Sequence, residues 1–239
     1  MTMFDFDNEL FMGAVKTCFE YLPVTLVISL IPSAIDFILG TLIAFGEYRG
    51  KKACRIFRVV ISFYAKCMPA LLSMFLFYYL VFDVIAWMKN ALGIPINVRN
   101  VKIIYIAIVA LAFDGIGMYA ETMRGAFDSV GKNQLEAAYS MGLSTFQAFY
   151  RIMFPQVIVE AIINLRLNVL GSILFSSMAY TIGVMDIFNG ASAYATQFFA
   201  YKEAYLASAL VYWCVCLIIS RLILLLENYS HKKTGLKPA

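Results

Sequence analysis

The chain has 239 residues, 62% of them hydrophobic and 15% aromatic but only 14% charged, with a formal net charge of +4 and a mean hydropathy of +0.78. Soluble domains carry about 25% charged residues, so this composition excludes a water-soluble globular protein and implies an integral membrane protein. The five cysteines (Cys18, Cys54, Cys67, Cys214 and Cys216) are odd in number and follow no disulfide or metal-site spacing. The single histidine, His231, lies in the tail and excludes a buried His-based catalytic centre.

The chain opens MTMFDFDNEL, with Asp5, Asp7 and Glu9 where a secretory signal would be basic, so no cleavable leader is expected. Phe4, Phe6, Leu10, Phe11, Ala14, Val15, Cys18 and Phe19 recur at roughly helical spacing, which predicts a short amphipathic interfacial segment over 1–20. About 20 mostly apolar residues cross the hydrocarbon, and five segments qualify. They run over about 21–46 with Asp36 inside, 59–82 with Lys66, and 103–120 with Asp114. The fourth covers 156–183 with Glu160 and Arg166, and the fifth covers 204–226 with Arg221 near its end. The fold class is therefore all-α, a five-span membrane domain over 21–227 with a loop at 121–155 and a tail at 228–239.

Loop charges set the orientation. Arg49, Lys51, Lys52, Arg55, Arg58, Arg124, Lys132, Arg151, Lys232, Lys233 and Lys237 fall on one side, against Lys16, Lys89, Arg99, Lys102 and Lys202 on the other. The N-terminus is thus expected outside, with the 121–155 loop and the tail in the cytoplasm.

That loop contains EAAYSMGLSTFQAFYRIMFPQ, residues 136–156. Helix formers lead up to Met141, and Gly142 stands where a helix end needs a left-handed residue without a Cβ penalty. Ser144 and Gln147 fit a capping box that starts a second helix, and Pro155 suits the first turn of a third. The product is two short helices with a glycine corner, either a docking element for a soluble partner or a helical loop lying on the membrane.

Glu136, Ala137 and Ala138, then Gly142, Ile152 and Pro155, resemble the EAA motif of ABC importer permeases. The stretch YAETMRGAFDSVGKNQLEAA (119–138), FPQ (154–156), IGV (182–184), YLASALVYW (205–213) and SRLILLLE (220–227) are similar to the polar amino-acid branch of that family, in order and almost without gaps from about residue 60. The resemblance implies a type I ABC importer permease with a cytoplasmic coupling-helix loop in the bacterial-type inner membrane. It implies a dimer with a second permease copy, identical or different, a pair of ABC ATPase subunits beneath and an extracytoplasmic solute-binding protein above. The six motif residues would dock on the ATPase. The chain has no G-x-x-x-x-G-K-[ST] loop, so ATP hydrolysis would belong to the partner. This subunit would be no enzyme, with no cofactor, metal or nucleic acid.

Some branch motifs are altered. Lys66, Cys67, Met68 and Pro69 stand where the branch has Arg-Gly-Thr-Pro, and Leu174, Phe175, Ser176 and Ser177 where it has Lys-Asp-Thr-Ser. The solute implied is an amino acid or related small molecule, and a non-binding half of a heterodimer is an alternative. Glu160, Asn164 and Asn168 share one helix face, a stripe too polar for lipid. They are candidates for the translocation path together with Ser176, Ser177 and Asp114, against a plain role in helix-to-helix hydrogen bonding. Asp114 also has structural pairing with Lys66 or Arg166 open to it, whereas Asp36 is expected to snorkel to the interface. Two other classes fit less well. An intramembrane aspartyl protease would need Gly before the aspartate, but Gly115 and Gly117 follow Asp114. An ion-coupled secondary transporter would show internal repeats.

Overall fold

The computed structural model of the protein describes residues 6–92, 101–131 and 133–234, all of whose regular elements are helical. Phe4, Asp5, Arg99, Lys132 and Lys237, used in the sequence reading, lie outside the described residues.

Helix α1 spans Asn8–Tyr48 as one 41-residue helix, so the expected interfacial stretch is, from Asn8 onward, continuous with the first span. Asp7 caps it, its side chain accepting from the backbone N–H groups of Glu9 at 2.8 Å and Leu10 at 3.2 Å. Pro23 and Pro32 sit within it, and several of its hydroxyls bond back to the preceding turn. Ser29 donates to the Thr25 carbonyl at 2.7 Å, Ser33 to Ser29 at 2.8 Å and Thr41 to Phe37 at 2.6 Å.

The second expected span is divided. Helix α2, Lys52–Cys67, stops at Met68, and α3, Ala70–Leu92, begins after Pro69. Met68 has an extended backbone (φ −89°, ψ 120°), the conformation that a following proline imposes. Helix α4, Ile103–Val130, runs ten residues past its expected end before Gly131 closes it. Helices α5 (Asn133–Ser140) and α6 (Thr145–Ala148) follow, and α6 continues through a π-type turn at Phe149–Met153 into α7, Phe154–Ser176. Pro155 therefore lies inside a continuing helix. Its missing N–H falls just beyond the widened turn, a common way of absorbing a break in the helical bond ladder. A 3-10 turn at Ser177–Ile182, helix α8 (Ile187–Phe198) and helix α9 (Tyr201–Thr234) complete the chain.

Five helical runs are long and apolar enough to cross a membrane: Asn8–Tyr48, Ala70–Ala91, Ile103–Val130, Thr145–Ile182 and Tyr201–Asn228. Between the last two, buried Asp186 caps α8 by accepting from Asn189 N–H at 2.8 Å and also accepts the Tyr212 hydroxyl at 2.9 Å. Burial pushes its carboxyl above the usual carboxylate range, against the pull of those bonds.

The centre of the bundle is the packing of α1 on α4. A Cβ on Gly40 would stand 2.7 Å from the backbone nitrogen of Ala120 and 2.9 Å from the Tyr119 carbonyl carbon, so the two backbones touch there. Close approach through small residues is how membrane helices gain contact when lipid supplies no hydrophobic drive. Around this seam lie an apolar cluster of Ala44, Tyr48, Met123, Phe127, Met153 and Val157 at one end and a second around Ala14, Cys18, Ile187 and Ala204 at the other. Gly40→Val should destabilise the solubilised protein by about 1–3 kcal/mol through overpacking. A melting curve beside Ile38→Val, at an exposed position of the same helix, checks this.

Candidate coupling corner and central cavity

Three groups of side chains stand out, starting at the end where α1 and α4 finish. The corner after α5 closes as a Schellman motif, with Gly142 N–H on the Tyr139 carbonyl at 2.9 Å and Leu143 N–H on the Ala138 carbonyl at 3.2 Å. Gly142 has φ +79°, the left-handed value that its place in the sequence predicts. The capping box also forms. Gln147 N–H reaches Ser144 Oγ at 3.4 Å, and Ser144 N–H reaches Gln147 Oε1 at 3.1 Å.

This unit has two faces. Glu136, Ala137, Met141, Phe146 and Tyr150 are exposed, and the Phe146 and Tyr150 rings lie parallel with centroids 6.1 Å apart. Ala138 and Ala148 are buried, and Ile152 and Pro155 are half-buried. Phe149 projects inward, 4.1 Å from the Phe45 ring of α1 and 6.1 Å from the Phe127 ring of α4. The corner is thus joined to the two central helices by aromatic packing.

Beside it runs a ladder of charge. Glu47 receives Arg58 through two bonds, Nε at 2.6 Å and Nη2 at 3.2 Å, and Arg124 Nε stands 3.6 Å away. Arg58 also lies 3.8 Å from Glu121, which takes Lys66 Nζ at 2.6 Å, and Arg124 pairs in turn with Asp128. Three carboxylates and three cations tie α1, α2 and α4 together, so every charge in the ladder is matched.

Further along the same helices is a cavity of about 420 Å³ walled by α1, α2, α4 and α7. Asp36, Lys66, Asp114, Tyr119, Asn168 and Ser172 supply its polar groups. Asp114 accepts from Ser73 Oγ at 2.7 Å, and Ser73 lies 3.0 Å from the Tyr64 hydroxyl. Asn168 Nδ2 donates to Thr122 Oγ1 at 3.0 Å. Asp114 forms an ion pair with neither Lys66 nor Arg166 among the described residues, because Lys66 is taken by Glu121.

The candidate path residues do not all meet. Asp114 and Asn168 share the cavity, whereas Glu160 and Asn164 lie exposed on the outer face of α7. Ser176 is buried with its hydroxyl on the Ile173 carbonyl at 2.7 Å, and Ser177 bonds back to Leu174 at 2.7 Å. Asp36 differs most from expectation. It does not snorkel; it is 1% exposed, its carboxylate pressed on Gly115, where a Cβ would overlap it. The sequence signal was the glycine directly after Asp114, legible only once α1 and α4 are known to be neighbours.

A family profile described as the inner membrane component of binding-protein-dependent transport systems matches residues 36–229. The chain belongs to this family. Among curated relatives of the permease, the probable amino-acid permease protein YxeN of Bacillus subtilis is 33% identical, covering 95% of this chain and 96% of that protein. The L-cystine transport system permease protein TcyL of the same organism is also 33% identical, over 89% and 87% of the two chains. In fold, the permease matches a chain of a crystal structure described as an amino acid ABC transporter with histidines, at TM-score 0.74 and 22% identity, covering 94% of this chain and 99% of that one. It matches a chain of the inward-facing MetNI methionine ABC transporter at TM-score 0.67 and 14% identity, over 94% and 99%. The type I importer fold and membership among the amino-acid ABC permeases, read from the EAA motif and its neighbours, are both met.

The ladder sets a contrast in stability. Glu47→Gln should cost about 1.5–3 kcal/mol, since it strips charge-assisted bonds from a half-buried guanidinium. Lys66→Ala, at a more exposed pair, should cost no more than about 1 kcal/mol. Thermal unfolding of the two variants side by side checks the order.

Proposed function

We propose that this permease forms the membrane pathway for an amino acid or a related small solute in an ATP-driven importer, with hydrolysis performed by a separate ATPase pair. The observation that carries this reading is the corner at Gly142. It presents an exposed carboxylate and an aromatic pair outward on two capped short helices, while Phe149 anchors it to the central helices. Relatives described as a probable amino-acid permease and an L-cystine transport system permease support the solute class.

In this reading Glu136, Ala137, Ala138, Gly142, Ile152 and Pro155 form the docking surface and its support. The basic loop residues support a cytoplasmic position for them and for the tail, with the N-terminus outside. A second permease copy covers the polar outer face of α7 at Glu160 and Asn164, and a binding protein delivers solute from the opposite side. Closure of the ATPase pair moves the corner, and the aromatic contact of Phe149 with Phe45 and Phe127 passes that movement to α1 and α4.

Two experiments test it. Tagged protein extracted in mild detergent from its native membrane should bring down a P-loop ATPase, and Gly142→Asp should deplete it several-fold, because a side chain at φ +79° opens the corner. An intact, folded wild-type protein that recovers no ATPase would reverse the reading. For the pathway, Asn168→Leu removes the bond to Thr122 and a polar group of the cavity. Solute uptake should fall by about tenfold, the scale of one lost hydrogen bond, in a complex that still assembles; unaltered transport kinetics would remove Asn168 from the path.

A further inference from the structure

The central cavity has a charge pattern that the ladder beside it lacks. Each ladder carboxylate faces a cation. Asp36 and Asp114, by contrast, line one cavity whose only basic wall residue among those described, Lys66, is held by Glu121 at 2.6 Å.

Asp36 is the more informative of the two. It is 1% exposed at the heart of the α1–α4 seam, and its Oδ1 has no hydrogen-bond partner. Burying a carboxyl among apolar helices with an acceptor unused is costly unless something pairs with it. The packing does not avoid this cost. Gly115 provides the space that the carboxyl occupies, and the next residue back, Asp114, is oriented by Ser73 into the same cavity.

Other wall residues suit the rest of a small organic cation. Met68, Leu111, Met118, Leu167 and Phe175 are apolar and would cover a methylene chain, and about 420 Å³ lies within the usual range for small-molecule sites. An amino acid carries one ammonium and one carboxylate. Its carboxylate would compete with Glu121 for Lys66, whose side chain is 54% exposed. Its ammonium satisfies one of the two aspartates. The other is left for a second positive group.

We propose that the cavity between α1, α4 and α7 is a solute site selective for net positive charge, with Asp36 and Asp114 receiving ammonium or guanidinium groups, so that the solutes are amino acids with cationic side chains or related diamines. This rests on the permease reading and narrows its solute class.

The test uses the permease–ATPase complex purified from native membranes into lipid nanodiscs, with radiolabelled L-arginine as the probe. L-Arginine should bind and be displaced by L-lysine or putrescine at least tenfold better than by L-glutamine or L-glutamate. Asp36→Asn and Asp114→Asn, both near-isosteric, should each weaken L-arginine binding at least tenfold, with assembly of each complex verified by size-exclusion chromatography. Equal competition by L-glutamine, unchanged affinity in both variants, or no L-arginine binding by an assembled complex would overturn the charge assignment and leave the permease reading standing. Failure of the wild type to co-purify with any ATPase would overturn both.

Discussion

The bundle depends on one close approach, that of α1 to α4 where Gly40 meets the backbone of Tyr119 and Ala120 and Gly115 makes room for Asp36. Lipid tails are as apolar as leucine, so membrane helices do not associate simply to escape solvent. Contact has to come from shape, and two glycines on facing helices supply it. Once these backbones touch, the residues before and after them along both helices are fixed. Tyr48 is brought beside Phe127, Glu47 opposite Arg124, and Asp36 into the wall shared with Asp114. The ladder, the cavity and the aromatic cluster are successive levels of one seam.

Local features were legible in the sequence, and long-range ones were not. Gly142, Ser144 and Gln147 act within a few residues of themselves, and their motifs form as read. Apolar length gave five crossings because hydrocarbon thickness is a one-dimensional constraint. The division at Met68–Pro69 was available in principle, since a proline restrains the residue before it. The apolar run from Val59 to Phe82 nevertheless suggested one uninterrupted span. Continuity of α1 through Pro23 and Pro32, and of α6 into α7 through Pro155, was hidden for the opposite reason. In a membrane a helix tolerates proline where a nearby turn adapts or neighbours satisfy the freed groups.

Asp36 shows where reading along a chain fails. A lone carboxylate late in an apolar segment has a cheap escape to the interface, and nothing local argues against it. What decides its fate is Gly115, 79 positions away and on another helix. The polar stripe on α7 shows a related limit. Glu160, Asn164 and Asn168 share a face by helical geometry, yet the structure divides them between the outer surface and the cavity, where only Asn168 finds Thr122. Periodicity identifies a face and leaves open what lies against each part of it.

The aromatic contact between Phe149 and Phe45 has a mechanical consequence. Phe45 and Asp36 are nine residues apart on α1, about 14 Å along the axis at the usual rise. Both prolines of α1 lie on the far side of Asp36. The segment between the two residues is therefore a stiff lever with its load at one end and the corner at the other. A small tilt imposed at the rim would sweep the carboxylate sideways within the cavity without unwinding any helix. The same rod that carries the Gly142 corner would thus shift Asp36 relative to Asp114 in the cavity wall.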